Sequence, residues 1–137
     1  MKKISMLMAF LFAVMISSTA LAADWVQLDS DNDSKFYIDK SSIKRGIESK
    51  HYDFSRKDGY STIVKMEFTM PDQTITMIHL VGLFEDNGVK KYILLESLDA
   101  NGNLEAQQSD KAEPELADGT DGTVWPKVYD YVEKNLQ

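Results

Sequence analysis

TITMIHLVGLF, residues 74–84, is apolar on both of the faces that an alternating strand would present. A strand with that pattern is buried on both sides, as central strands under a helix are. Its neighbours extend the reading. In Ser61–Met70, Val64, Met66, Phe68 and Met70 alternate with Ile63, Lys65, Glu67 and Thr69, the period of a half-buried strand. Pro71-Asp72 ends that strand. On the other side Asn87-Gly88 is a two-residue hairpin signal, because both turn positions need positive φ. Val89–Leu98 is then the returning strand, and Asn101-Gly102 leads into another at Leu104–Gln107.

Upstream, Trp25–Leu28 and Lys35–Asp39 read as a hairpin around the polar turn Asp29–Ser34, with Phe36 and Ile38 on one face. A turn is expected around Lys40–Ser42, then an extended stretch over Ile43–Phe54, with Asp58-Gly59 punctuating the end of this region. Downstream, Ser109–Gly122 is acidic and turn-rich and reads as a long loop. Thr123 can cap a final helix that has Pro126 in its first turn. Val128, Tyr131, Val132 and Leu136 fall on one face of that helix. The pattern predicts an α+β domain: about six antiparallel strands with one C-terminal helix packed on the sheet. A core filled solidly by Ile78, Leu80, Val128 and Val132 would rule out a pocket between sheet and helix.

The first 22 residues have the form of a secretory signal peptide: Lys2-Lys3, the apolar run Met6–Ile16, then Ala20-Leu21-Ala22 as a small-x-small cleavage site. The apolar run is shorter than the roughly 20 residues of a bilayer span. Residues 23–137 therefore read as one domain, without a transmembrane segment, that is periplasmic, secreted or associated with the cell surface. They carry 13 basic and 22 acidic side chains, a net charge of −9. Such a balance argues against nucleic acid as a partner. The chain has no cysteine, which excludes disulfides, thiolate catalysis and thiolate metal sites.

Several segments together resemble the bacterial surface-adhesin protein E family. They are Asp24-Trp25-Val26; Phe36-Tyr37-Ile38-Asp39 followed by Ser41-Ser42-Ile43; Val64-Lys65-Met66-Glu67-Phe68; Tyr92-Ile93-Leu94-Leu95 running into Leu98-Asp99-Ala100-Asn101-Gly102; and Trp125-Pro126. The resemblance spans nearly all of residues 23–137. It implies an antiparallel sheet with a helix, a surface or periplasmic location and, as in the best-known member, binding of host matrix proteins. Family members often carry a cysteine pair, and the adhesin itself is a lipoprotein; this chain has no Cys for either. No binding residue is carried across.

Candidate chemistry is sparse. Asp29, Asp31 and Asp33 have the spacing that opens a calcium loop, but Ser34 and Lys40 stand where Gly and a bidentate Glu are needed. A solvated turn is the expected role. His51 and His79 have no sequence partner that would make either catalytic or zinc-binding. No catalytic residue, metal or cofactor is expected. Lys40–Lys57 stands out, with six basic residues against Glu48 and Asp53 and with Tyr52 and Phe54 interleaved. Lys44, Arg45, Lys50, Arg56 and Lys57 form a candidate patch for an extracellular-matrix or envelope protein or an anionic glycan. The same lysines also suit an edge strand protected by charge. The leading expectation is an exported, non-enzymatic binding domain. The alternative is a periplasmic small-molecule-binding protein or enzyme with a pocket between sheet and helix.

Overall fold

The computed structural model describes residues 23–48, 55–107, 114–117 and 123–136. Residues 1–22, Lys50, His51, Tyr52 and Phe54, and most of the stretch 109–122 lie outside the described residues. The elements are β1 (Trp25–Ser30), β2 (Ser34–Asp39), a single 3-10 turn (Lys40–Ser42), β3 (Lys44–Glu48), β4 (Ser55–Thr69), β5 (Thr74–Asp86), β6 (Val89–Leu98), β7 (Leu104–Gln107), β8 (Glu115–Leu116) and α1 (Trp125–Lys134). The sheet is antiparallel in the order β1-β2-β4-β5-β6-β7, with β3 added to β4 and β8 to β6. This is the α+β architecture that the patterning predicts.

β4 organises the sheet. Its 15 residues are long enough to pair with β5 on one edge and with two strands in succession on the other. Val64–Phe68 pair with β2, and Ser55–Ser61 with β3. The chain steps between the two across Lys40–Ser42, and the sequence supplies what that step needs. Asp39, 2% exposed, accepts hydrogen bonds from the backbone N–H of Asp24 (2.9 Å) and of Ser41 (3.0 Å) and from the Ser41 hydroxyl (2.6 Å). The Ser42 hydroxyl accepts the Ile63 N–H at 2.7 Å and lies 3.0 Å from Thr62 Oγ1. It thus serves the part of the β4 ladder that neither strand reaches, where an open backbone donor would be costly.

Asp58-Gly59 does not end an element, as the sequence suggests, but lies inside β4. Two steps along β3, from Arg45 to Ile47, match four along β4, from Tyr60 to Arg56. The extra residues form a bulge, which bends and twists the strand. A side chain at Gly59 would meet Ile47 Cδ1 at 2.6 Å and the Leu83 carbonyl at 2.7 Å, so Ile47 rests on bare backbone here.

The two apolar faces of β5 serve different cores. Val81 and Leu83 join Phe36, Ile38, Val64, Tyr92 and the α1 residues Trp125, Val128, Tyr129 and Val132. Phe84 and Leu80 join Ile47, Ile93 and Leu95 on the opposite face. Alternation puts Ile78 and Leu80 on the face away from the helix, so these two do not share a core with Val128 and Val132. Trp125 centres the helix-side core. Its ring stacks on Tyr92 (3.8 Å between centroids, 15° between planes) and meets Phe36 edge-on at 5.8 Å. Phe36 and Tyr92 stand three strands apart, so the sheet must curve around the indole. α1 begins at Trp125 with Val124, not Thr123, as its N-cap. Within the expected acidic loop, Glu115–Leu116 form the short strand β8 against Lys91 and Tyr92, and the Tyr92 hydroxyl donates to the Glu115 carboxylate.

Candidate functional site

The β3–β4 hairpin gathers Lys44, Arg45, Arg56 and Lys57 around one cleft of about 480 Å³, with Gly46, Ile47, Glu48 and Ser55 completing its walls. Lys50 lies outside the described residues. Four cations against one carboxylate on the lining make a positive site on a negative molecule. Glycine suits position 46 on this lining, for its φ of +90° is a conformation that L side chains rarely adopt.

The four cations differ in what holds them. Arg56 is fixed from several sides. Its Nε and one terminal nitrogen donate to the Asp58 carboxylate, both at 3.0 Å; the same terminal nitrogen reaches the Glu85 carbonyl at 3.2 Å; and the guanidinium lies 4.5 Å from the Phe84 ring centre. The hydrogen bond from Arg56 lowers the Asp58 pKa, and the reciprocal bond raises that of Arg56. Arg45 lies 5.6 Å from the Tyr60 ring centre. Lys44 and Lys57 are exposed. Arg56 therefore shapes the cleft, while the two lysines and Arg45 supply charge at its mouth.

A second concavity lies at the N-terminal end of α1. Phe36, Met66 and Phe68 from the sheet and Thr123, Val124 and Trp125 from the helix side line a groove of about 360 Å³, rimmed by Asp29, Asp31 and Lys35 among others. Phe68 is 36% exposed. Residue patterning did not single out this groove. Its signal was present in β4, whose alternating apolar row runs past the reach of a ten-residue helix.

The aspartates of the β1–β2 turn act locally. Asp31 Oδ1 accepts from the backbone N–H of Asp33 and Ser34 and from the Ser34 hydroxyl, at 2.8–3.0 Å. These bonds, the Asp33 N–H foremost, lower the Asp31 pKa. Asp29 pairs with Lys127 at 3.3 Å. Among the described residues no group of three or more His, Cys, Asp or Glu could hold a metal ion, and no helix is long and apolar enough to cross a membrane.

Comparison with family models, curated proteins and solved structures finds no match for this chain. Two segments quoted above for the adhesin resemblance have structural duties. Asp39, Ser41 and Ser42 build the step between β2 and β3. Asp99 Oδ1 accepts from the N–H groups of Asn101 and Asn103, both at 2.9 Å, to form the β6–β7 turn.

Proposed function

We propose that this chain is an exported, non-enzymatic binding domain of the surface-adhesin protein E type, and that it recognises an anionic partner through the β3–β4 cleft. The observation that supports this reading is the convergence of Lys44, Arg45, Arg56 and Lys57 on one concave surface. Residues 23–137, with net charge −9, would spread such cations among their acids if they served solubility alone. Clustering focuses the field and raises the local concentration of an anionic ligand. The fixed Arg56 keeps the cleft shaped before a partner arrives, which reduces the ordering cost of association. A sulfated glycan or an acidic segment of a matrix or envelope protein has the required charge and extended form.

The test uses residues 23–137 and immobilised heparin as the sulfated probe. Association falls steeply with added salt, and K44E/K57E slows it by at least about tenfold. Binding that ignores both salt and the double charge reversal refutes the reading. The groove beside Trp125 favours a second reading, a carrier of a small apolar ligand. Displacement of an apolar dye by such a ligand, lost in Phe68→Lys, would support that reading in place of the first.

A further inference from the structure

Residues 23–137 contain three methionines, Met66, Met70 and Met77, and all three fall in the β4–β5 hairpin. The register pairs Met66 directly with Met77 and Val64 with His79. Alternation therefore places Met66, Met77 and His79 on one face. Met77 is 41% exposed, an unusual position for a large apolar side chain on the helix-bearing face, whereas His79 is 3% exposed.

The imidazole is oriented by the strand on its far side. Ser97 Oγ of β6, whose residue pairs with His79, lies 3.3 Å from Nδ1, and the Glu96 backbone also hydrogen-bonds the ring. Nε2 is buried and has no hydrogen-bond partner. On its other side His79 pairs with Val64 of β4, two residues from Met66 on the same face. A buried polar atom without a partner calls for an explanation. An imidazole whose Nδ1 is engaged by a hydroxyl, leaving the Nε2 lone pair open, is a usual arrangement of a metal ligand.

We propose that His79 Nε2 and the thioethers of Met66 and Met77 form a binding site for a soft monovalent cation, Cu(I). Thioether and imidazole donors select Cu(I), whereas calcium and magnesium require oxygen ligands. Directly paired strand residues have Cβ atoms about 5 Å apart, and residues two apart on a strand are separated by roughly 7 Å. Methionine's flexible side chain closes gaps of that size around one ion. Met77 gives the ion access from solvent and His79 supplies the inner ligand. Ser97 acts as a positioning residue through Nδ1.

The test is an anaerobic titration of residues 23–137 with the coloured Cu(I)–bicinchoninate complex, with ascorbate holding the metal reduced. The protein removes one equivalent of Cu(I), and M66L/M77L, a swap that keeps size and apolarity, abolishes the transfer. S97A weakens binding by about tenfold, as loss of an outer-shell partner does. Redox-inert Ag(I) shifts the methyl resonances of Met66 and Met77 and the ring signals of His79 in the folded protein. Failure to capture Cu(I), or capture by M66L/M77L equal to that of the unsubstituted chain, overturns the proposal. Circular dichroism of each variant separates a lost site from a lost fold.

Discussion

Replacing Trp125 by Ala tests whether the helix is held to the curved sheet by the contacts described. The indole is 6% exposed, stacked on Tyr92 and edge-on to Phe36. Truncating a buried Trp to Ala costs about 3–5 kcal/mol, cavity included. Each aromatic pair contributes roughly 0.5–1.5 kcal/mol of that. For a domain of this length 1 kcal/mol shifts the midpoint by about 4 °C, so W125A lowers Tm by about 15 °C. It also removes the near-ultraviolet circular dichroism of the Trp125–Tyr92 stack. W125F fills part of the cavity and falls between the two. A double-mutant cycle of W125A with Y92L isolates the stack, with an expected coupling of about 1 kcal/mol. A Tm loss below about 5 °C, or a coupling indistinguishable from zero, would refute the argument that Trp125 joins β2 and β6 beneath the helix.

Two further predictions concern buried polar groups. Asp39→Ala removes an acceptor from the Asp24 and Ser41 donors and destabilises by about 3 kcal/mol in urea unfolding; Asp39→Asn, which keeps a carbonyl oxygen, loses less, and the reverse order would contradict the capping role. His79 has a folded pKa below its ordinary value because burial disfavours the imidazolium. The unfolded chain therefore binds the proton more readily, and metal-free protein loses stability as pH falls below about 6.5 toward the lower folded value. His79→Leu flattens that part of the stability–pH curve, and an unchanged slope in this variant would assign the loss to other groups.

Much of the fold is legible in local patterns because those patterns are self-sufficient. The alternation from Val64 to Phe68 specifies a face whatever pairs with it. Asn87 and Gly88 adopt the positive φ values, 53° and 80°, that the two-residue turn requires. What the sequence hides depends on distant partners. Apolar residues on both faces of β5 show that both are covered, but not which one receives the helix; Leu80 and Val81 are equally apolar and belong to opposite cores. Asp58-Gly59 has the composition of a turn, and only Ile47 lying over it makes it a bulge within a strand. The basic patch was legible as composition, while the division of labour within it was not. Arg56 is tied down because the bulge brings Asp58 and the Glu85 carbonyl within reach of its guanidinium.

The placement of the resemblance-bearing residues bears on where function resides. Asp39, Ser41 and Ser42 form the step that lets β4 hold two strands on one edge. Asp99 and Gly102 make a turn, and Trp125 fills the concave core. These residues are committed to folding, and substituting them would alter function only by altering the scaffold. A likeness carried by such positions speaks to architecture and leaves recognition to residues with no folding duty. Lys44 and Lys57 at the basic cleft meet that description, as do Phe68 at the groove and Met77 beside His79; all four are exposed on strands that other side chains hold in place. Two chains sharing this scaffold could therefore bind unrelated partners. In this one, the first variants to make are at the cleft and at the methionine pair, where a change in binding can be measured without a change in fold.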